Sequence, residues 1–359
     1  MKNITRTKAS LITGRAWLAT VVVTAAVVAG IAAGPGSATP PVHANYGPYP
    51  PKAAKFKAPK LKQGTLTVNG TKRSDKITLR LQAGDPSILQ VDVGDDGSAD
   101  FSFERSKIAK IAVRAGAGAD LVRIDESNGA FTDSIPTTLD GGDGNDTIAG
   151  GKGIETLRGG RGNDSIDGNG GNDLALLGAG NDTFVWDPGD GSDTVEGQDG
   201  SDTMVFNGAN VDEQVNLSAN GSRLKFFRTQ GNITMDTAGV ERVDFNALGG
   251  ADLVTINDLT GTDVSRVNVE LAGALGGTTG DGKADRVVVN ATNGNDSIDV
   301  SGNAEAVKVS GLAATIQILH SQVADDRLEV NTLTGTDTVA SVGLAAGAIR
   351  LFADGVLVA

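Results

Sequence analysis

The sequence predicts an all-β fold, a parallel β-roll or β-helix solenoid flanked by further β-rich, solenoid-like segments. Two observations predict it. Fifty glycines stand against 4% aromatic residues in a chain of 359, so a core would have to be assembled from Val, Ile, Leu and Ala in thin, repetitive layers rather than around large rings. From Gly141 the chain can also be cut every nine residues: GGDGNDTIA, GGKGIETLR, GGRGNDSID, GNGGNDLAL and LGAGNDTFV, then, after Trp186 and Asp187, PGDGSDTVE and GQDGSDTMV.

Charge and composition limit the partners. The formal net charge of −13 comes mostly from Asp, which argues against nucleic acid as a partner and for cations. Cysteine is absent and the two histidines are His43 and His320, so tetrahedral zinc, thiol catalysis and disulfides lack their residues. Hard oxygen donors of the kind that suit Ca²⁺ are abundant instead.

The chain begins with Lys2, Arg6, Lys8 and Arg15 ahead of an apolar run from Trp17 to Ala33. These are the n-region and h-region of a secretory signal peptide, assigned to residues 1–44, with Val42 and Ala44 fitting a cleavage site and Gly36 and Ala38 an alternative. The apolar run is at the lower limit for a membrane span, but Gly30, Gly34 and Pro35 interrupt it, so export without stable membrane insertion is expected. Residues 45–62, rich in Pro and Lys, read as a semi-extended linker. Such a basic linker could touch an anionic cell-wall polymer, though ordinary solvation explains it as well.

Residues 63–140 form an N-terminal β-rich segment. LTVNGTKRSDKITLRL and IAVRAGAGADLVRIDES alternate apolar and polar residues around glycine-aspartate turns, and GAGADLVRI is a half-repeat. Between them, Asp92, Asp96 and Asp100 stand at positions 1, 5 and 9 of a loop with Gly at position 6. That spacing resembles an EF-hand-like calcium loop, and Asp92, Asp96 and Asp100 are candidate ligands; an ordinary turn fits the same residues.

The nonapeptides occupy residues 141–205. The first six positions of each need glycine, because a tight turn must adopt positive φ and turn its carbonyls inward. The last three form a short strand whose apolar eighth position (Ile148, Leu157, Ile166, Ala175, Phe184, Val195, Met204) faces a core while the seventh faces away. The pattern G-G-x-G-x-D-x-U-x, with U apolar, resembles the RTX, or haemolysin-type, calcium-binding repeat family. Two nonapeptides make one 18-residue coil, so alternate repeats stack at about 4.8 Å. One ladder of carboxylates is then Asp146, Asp164, Asp182 and Asp202, and the other is Glu155, Asp173 and Asp193. Unpaired, two such carboxylates repel by roughly 1 kcal/mol in water and three to four at an effective dielectric constant of 20. With Ca²⁺ between rungs, the Asp side chains and turn carbonyls, such as those of Gly142, Gly144, Gly160 and Gly162, supply six to eight oxygens. Folding of this segment is therefore expected to depend on calcium. Glu155 is a methylene too long, which favours the Asp173 and Asp193 rung over its own.

Residues 206–359 continue as a C-terminal β-helix-like domain. LGGADLVTI, NGNDSIDV and ADDRLEV echo the repeat weakly, and Asp252, Asp296 and Asp325 are expected to be turn residues rather than ligands. Asp281 and Asp285 in DGKADR are left outside the candidate set. Neither H-E-x-x-H nor G-x-S-x-G occurs, which removes the usual protease and lipase partners of such repeats, and His320 reads as an ordinary strand residue. The expectation is a secreted or surface-retained, non-enzymatic calcium-binding protein. The alternative is a lyase or epimerase acting on polysaccharide from a parallel β-helix, an argument from fold analogy.

Overall fold

The computed structural model describes residues 56–359. The signal-peptide reading of residues 1–44 and most of the linker lie outside the described residues. Apart from the short 3₁₀ turns Arg105–Lys107 and Gln230–Asn232, every regular element is a strand. The strands form two sheets of 15 and 14 members with a shared apolar core. The predicted all-β parallel solenoid is what the chain forms.

Within the nonapeptides, the strands alternate between the two sheets. Thr137–Asp143, Glu155–Arg161, Leu174–Gly180 and Thr194–Gly200 pair in parallel in the first; Thr147–Ala149, Ser165–Asp167, Thr183–Trp186 and Thr203–Asn207 do so in the second. In-register pairing sets like residues above like. Val113, Leu139, Leu157, Ala175 and Val195 make one buried column, and Val122, Ile148, Ile166, Phe184, Met204 and Val243 another. The eighth position of each repeat is therefore core, as its apolar character demands, and each buried Leu or Ile contributes about 1.5–3 kcal/mol. Pairing runs unbroken across the composition boundaries at 140/141 and 205/206.

The extra Trp186 and Asp187 lengthen one coil, so that equivalent residues there are 20 positions apart instead of 18. Trp186 turns fully inward and stacks on Phe206, with centroids 3.9 Å apart and planes at 6°. Phe226 and Phe245 complete this plug around Phe206.

Beyond the nonapeptides, an antiparallel meander, Gln214–Asn220, Arg223–Arg228 and Ile233–Ala238, is spliced into the first sheet. A second, Ser297–Asn303, Ala306–Ser310 and Thr315–Leu319, is spliced into the other. Around these hairpins the parallel coils continue. Asn257, Asn290 and Asn331 each donate their side-chain amide to the Asn of the coil before, down to Asn216. Short antiparallel strands cover sheet edges: Lys60–Lys62 on Thr65–Asn69 and Val356–Leu357 on Arg350–Ala353. Edges covered in this way are poor templates for further pairing.

Candidate metal centre

The turns take their shape from glycine. Gly142 and Gly144 have φ of 110° and 133°, and Gly160 and Gly162 have 116° and 119°, a region closed to most side chains. Their carbonyl oxygens point along the stack: those of Gly142 and Gly144 lie where a Cβ on Gly160 or Gly162 would collide. A glycine at the first position, present in five of the seven repeats, is needed for a different reason. A Cβ on Gly141 would lie within 3 Å of Asp146 Oδ2 and of the Gly159 carbonyl, and one on Gly159 would meet Asp164 Oδ2 and the Leu177 carbonyl. Glycine thus keeps a small space open between a carboxylate oxygen and a carbonyl of the next coil.

The carboxylates are tied coil to coil by a single repeated bond. The backbone N–H of Asp146 donates to Asp164 Oδ1 at 2.7 Å, Asp164 to Asp182 at 2.7 Å, and Asp182 to Asp202 at 2.8 Å. On the other flank Glu155 donates to Asp173 at 2.7 Å and Asp173 to Asp193 at 2.8 Å. Each of these side chains is buried, and each keeps its second oxygen without any hydrogen-bond partner: Oδ2 of Asp146, Asp164, Asp173, Asp182, Asp193 and Asp202, and Oε1 of Glu155. One residue earlier the direction reverses. Asn163 N–H donates back to Asn145 Oδ1 at 2.9 Å, Asn181 to Asn163 at 2.9 Å and Ser201 to Asn181 at 3.0 Å.

No ion pair among the described residues reaches the six Asp of these two ladders. Burial accordingly pushes Asp173 up to about 9 and Asp164, Asp193 and Asp202 up to about 7, with neighbouring carboxylates adding to the rise. Burial raises Asp146, Asp182 and Glu155 as well. A buried carboxylate with an empty lone pair and no counter-charge is costly. Repeated on every coil, it describes a row of half-built cation sites.

Glu155 joins its ladder despite the extra methylene. Its Oε2 turns to the N–H of Gly151 at 2.8 Å, which takes up the added length. The loop at Asp92 is a correction. Asp92 is fully buried against Arg80, with Nη1 to Oδ2 at 2.8 Å, and also accepts the N–H of Gly97. Asp100 accepts from Val93 N–H, and Asp96, exposed, from Ser98 N–H. Among the described residues no three Asp, Glu or His side chains form a metal-holding group, so a ladder site would take two carboxylates and fill its remaining positions with carbonyls; at the Asp92 turn an arginine and the loop's own amides take the carboxylates instead.

The ladder is longer than the nonapeptides. Asp75 N–H donates to Asp120 Oδ1 and Asp120 N–H to Asp146 Oδ1, and at the far end Asp202 N–H donates to Glu241. Asp120 belongs to the half-repeat GAGADLVRI, but the separation of 26 from Asp146 hides it from a nine-residue ruler. Asp252 and Asp296, expected as turn residues, also enter ladders, Asp252 with Glu213 and Asp296 with Asp337. In ADDRLEV it is Asp326, not Asp325, that does so. His320 sits just past its strand at φ 54° and bonds Glu270.

Paired buried carboxylates and turn carbonyls between the coils of a parallel roll define a cation-binding solenoid. The RTX calcium-binding nonapeptide repeat, in four copies, matches residues 138–154, 150–184 and 189–210. The chain carries RTX calcium-binding repeats, and the cation that these repeats bind is Ca²⁺. The residues present fit that ion: hard oxygen donors, one unpaired on each rung, beside a space that glycine keeps open. No curated protein matches the chain.

Proposed function

We propose that this is an exported, non-enzymatic calcium-binding protein whose nonapeptide segment completes its folding on meeting extracellular Ca²⁺. The observation that carries the proposal is the unbroken line of buried, unpartnered carboxylate oxygens. Asp146, Asp164, Asp182 and Asp202 on one flank, and Glu155, Asp173 and Asp193 on the other, are the proposed side-chain ligands. Carbonyls of the glycine turns, among them Gly142, Gly144, Gly160 and Gly162, complete the set. Bound Ca²⁺ supplies positive charge between like-charged rungs, while the chain's own amides hold Oδ1 of each Asp fixed and so aim Oδ2. Export is supported by the signal-like N-terminus and by the ligand chemistry: the ion is scarce in the cytosol and plentiful outside, so the acidic array stays open until it is exported. No helix among the described residues is long and apolar enough to cross a membrane.

Calorimetric titration of Ca²⁺ into the chelator-treated protein, with far-ultraviolet circular dichroism alongside, tests this reading. Several ions bound with a gain of β-structure are expected; identical spectra in chelator and in millimolar Ca²⁺ would remove the folding switch.

Retention on an acidic surface polysaccharide is a second reading, favoured by one feature. A groove of about 320 Å³ on the first sheet is lined by Lys110, Arg114 and Arg158 around Asp140, a basic cluster in a chain of net charge −13. Binding to cell-wall material that is lost in Arg114→Ala/Arg158→Ala protein would support it.

A further inference from the structure

The carboxylate ladder starts again at Glu213, 11 residues beyond Asp202, where no nonapeptide is matched. Glu213 N–H donates to Asp252 Oδ1 at 2.7 Å, Asp252 N–H to Asp285 Oδ1 at 2.9 Å, and Asp285 N–H to Asp326 Oδ1 at 3.1 Å. The steps span 39, 33 and 41 residues, because each coil here carries a loop or hairpin, so no regular spacing announces them.

Asp252 is 2% exposed, and its Oδ2 has no hydrogen-bond partner. That is the signature of the nonapeptide rungs. Asp281 lies close enough for its charge to act on Asp252, Asp285 and Asp326, and both its oxygens accept backbone N–H groups, Oδ2 from Gly250 and Oδ1 from Lys283, each at 2.8 Å. At the start of this ladder, a Cβ on Gly208 would collide with Glu213 Oε2 and with the carbonyls of Asn246 and Ala247, the same reserved space as at Gly141. The neighbouring cations are committed elsewhere. Arg228 pairs with Glu213, Nε to Oε1 at 2.6 Å, while Arg286 and Arg327 both pair with Glu329. A guanidinium therefore neutralises the first rung, and Asp252 and Asp285 have no such partner.

We propose that Asp252 and Asp285 hold a second divalent-cation site of the Ca²⁺ type in the C-terminal segment. The proposal rests on the calcium reading of the nonapeptides for its ladder geometry, and on its own orphaned oxygen for its location. The site would join coils that the spliced hairpin separates from the nonapeptide array.

Calorimetric counting of Ca²⁺ on the full chain tests it with two variants. Asp252→Asn/Asp285→Asn keeps both Oδ1 acceptors, and hence the ladder bonds, while removing the charge; Asp164→Asn/Asp182→Asn does the same in the nonapeptides. The first variant is expected to bind at least one ion fewer than the unaltered protein, with an unchanged dichroism spectrum in saturating Ca²⁺. An unchanged count and affinity overturns the C-terminal site whatever the second variant does, whereas an unchanged count in the second variant alone faults the array reading. A readout free of C-terminal changes uses the Asp164→Asn/Asp182→Asn protein: Ca²⁺ should slow hydrogen exchange at the amides of Glu213 and Asp252 at least tenfold, and no slowing overturns the proposal.

Discussion

An Asp at the sixth position of a repeat performs two tasks with two oxygens, and an isosteric change separates them. In Asp164→Asn the amide oxygen still accepts from Asp146, but the buried charge is gone. In chelator this variant should be more stable than the unaltered protein by about 1 kcal/mol or more, through relief of like-charge repulsion. In millimolar Ca²⁺ the order should reverse; thermal unfolding in both buffers checks it. Gly159→Ala probes the reserved space instead. Its Cβ meets the backbone carbonyl of Leu177, which cannot swing aside, and a loss of about 2 kcal/mol or more is expected in urea unfolding. Ile154, 67% exposed, occupies the place where other repeats have an Asn or Ser. Ile154→Asn would offer an acceptor to Asn172 N–H, as Asn172 does to Ser192, and should stabilise the protein by about 0.5–1 kcal/mol.

For a stacked pair of repeats, proton and calcium compete for the same oxygens. Folded-state values of about 7 for Asp164, Asp193 and Asp202 lie above the 3.8 of an unperturbed Asp. Protonation therefore favours the calcium-free fold; its contribution is complete below about pH 4 and is lost as pH rises through 7. Chelator-treated protein should melt at a higher temperature at pH 5 than at pH 8. Calcium needs the ionised form, so the calcium-loaded protein should show the opposite order, and binding at pH 6 should release protons measurable in buffers of different ionisation enthalpy. The sequence made these rungs visible because their period of nine is short and regular. The Asp92 loop misled for the converse reason: spacing alone cannot report that Arg80, on the adjoining hairpin strand, reaches Asp92 first.

Within the nonapeptides, apolar alternation was enough to mark the eighth position of each repeat as core. Composition and strand pattern likewise pointed to a solenoid continuing past residue 205. What stayed hidden was long-range pairing. Asp120, Glu213 and Asp285 take ladder positions through partners 26 to 45 residues away, and the two meanders erase the period between them. The aromatic plug was equally unannounced, since Trp186 reads as an interruption of the repeats. Its burial against Phe206 makes it a built-in reporter: tryptophan emission should shift to the blue when Ca²⁺ folds the array and return to the red in chelator. Phe206→Ala should cost about 3–5 kcal/mol, because one ring supports Trp186, Phe226 and Phe245 together.

The opposed directions of the Asp and Asn bonds have a mechanical consequence. Each coil grips its successor through one and is gripped back through the other, so a coil leaves only when both bonds at its face break together. Tension applied to the ends of the chain would then peel the array stepwise, each step paying out one coil of 18 to 20 residues, about 60 Å of extended chain. Calcium would set the force of each step and leave its length unchanged. A protein anchored at one end and loaded at the other would lengthen in notches under strain and shorten again by winding itself back onto the ion.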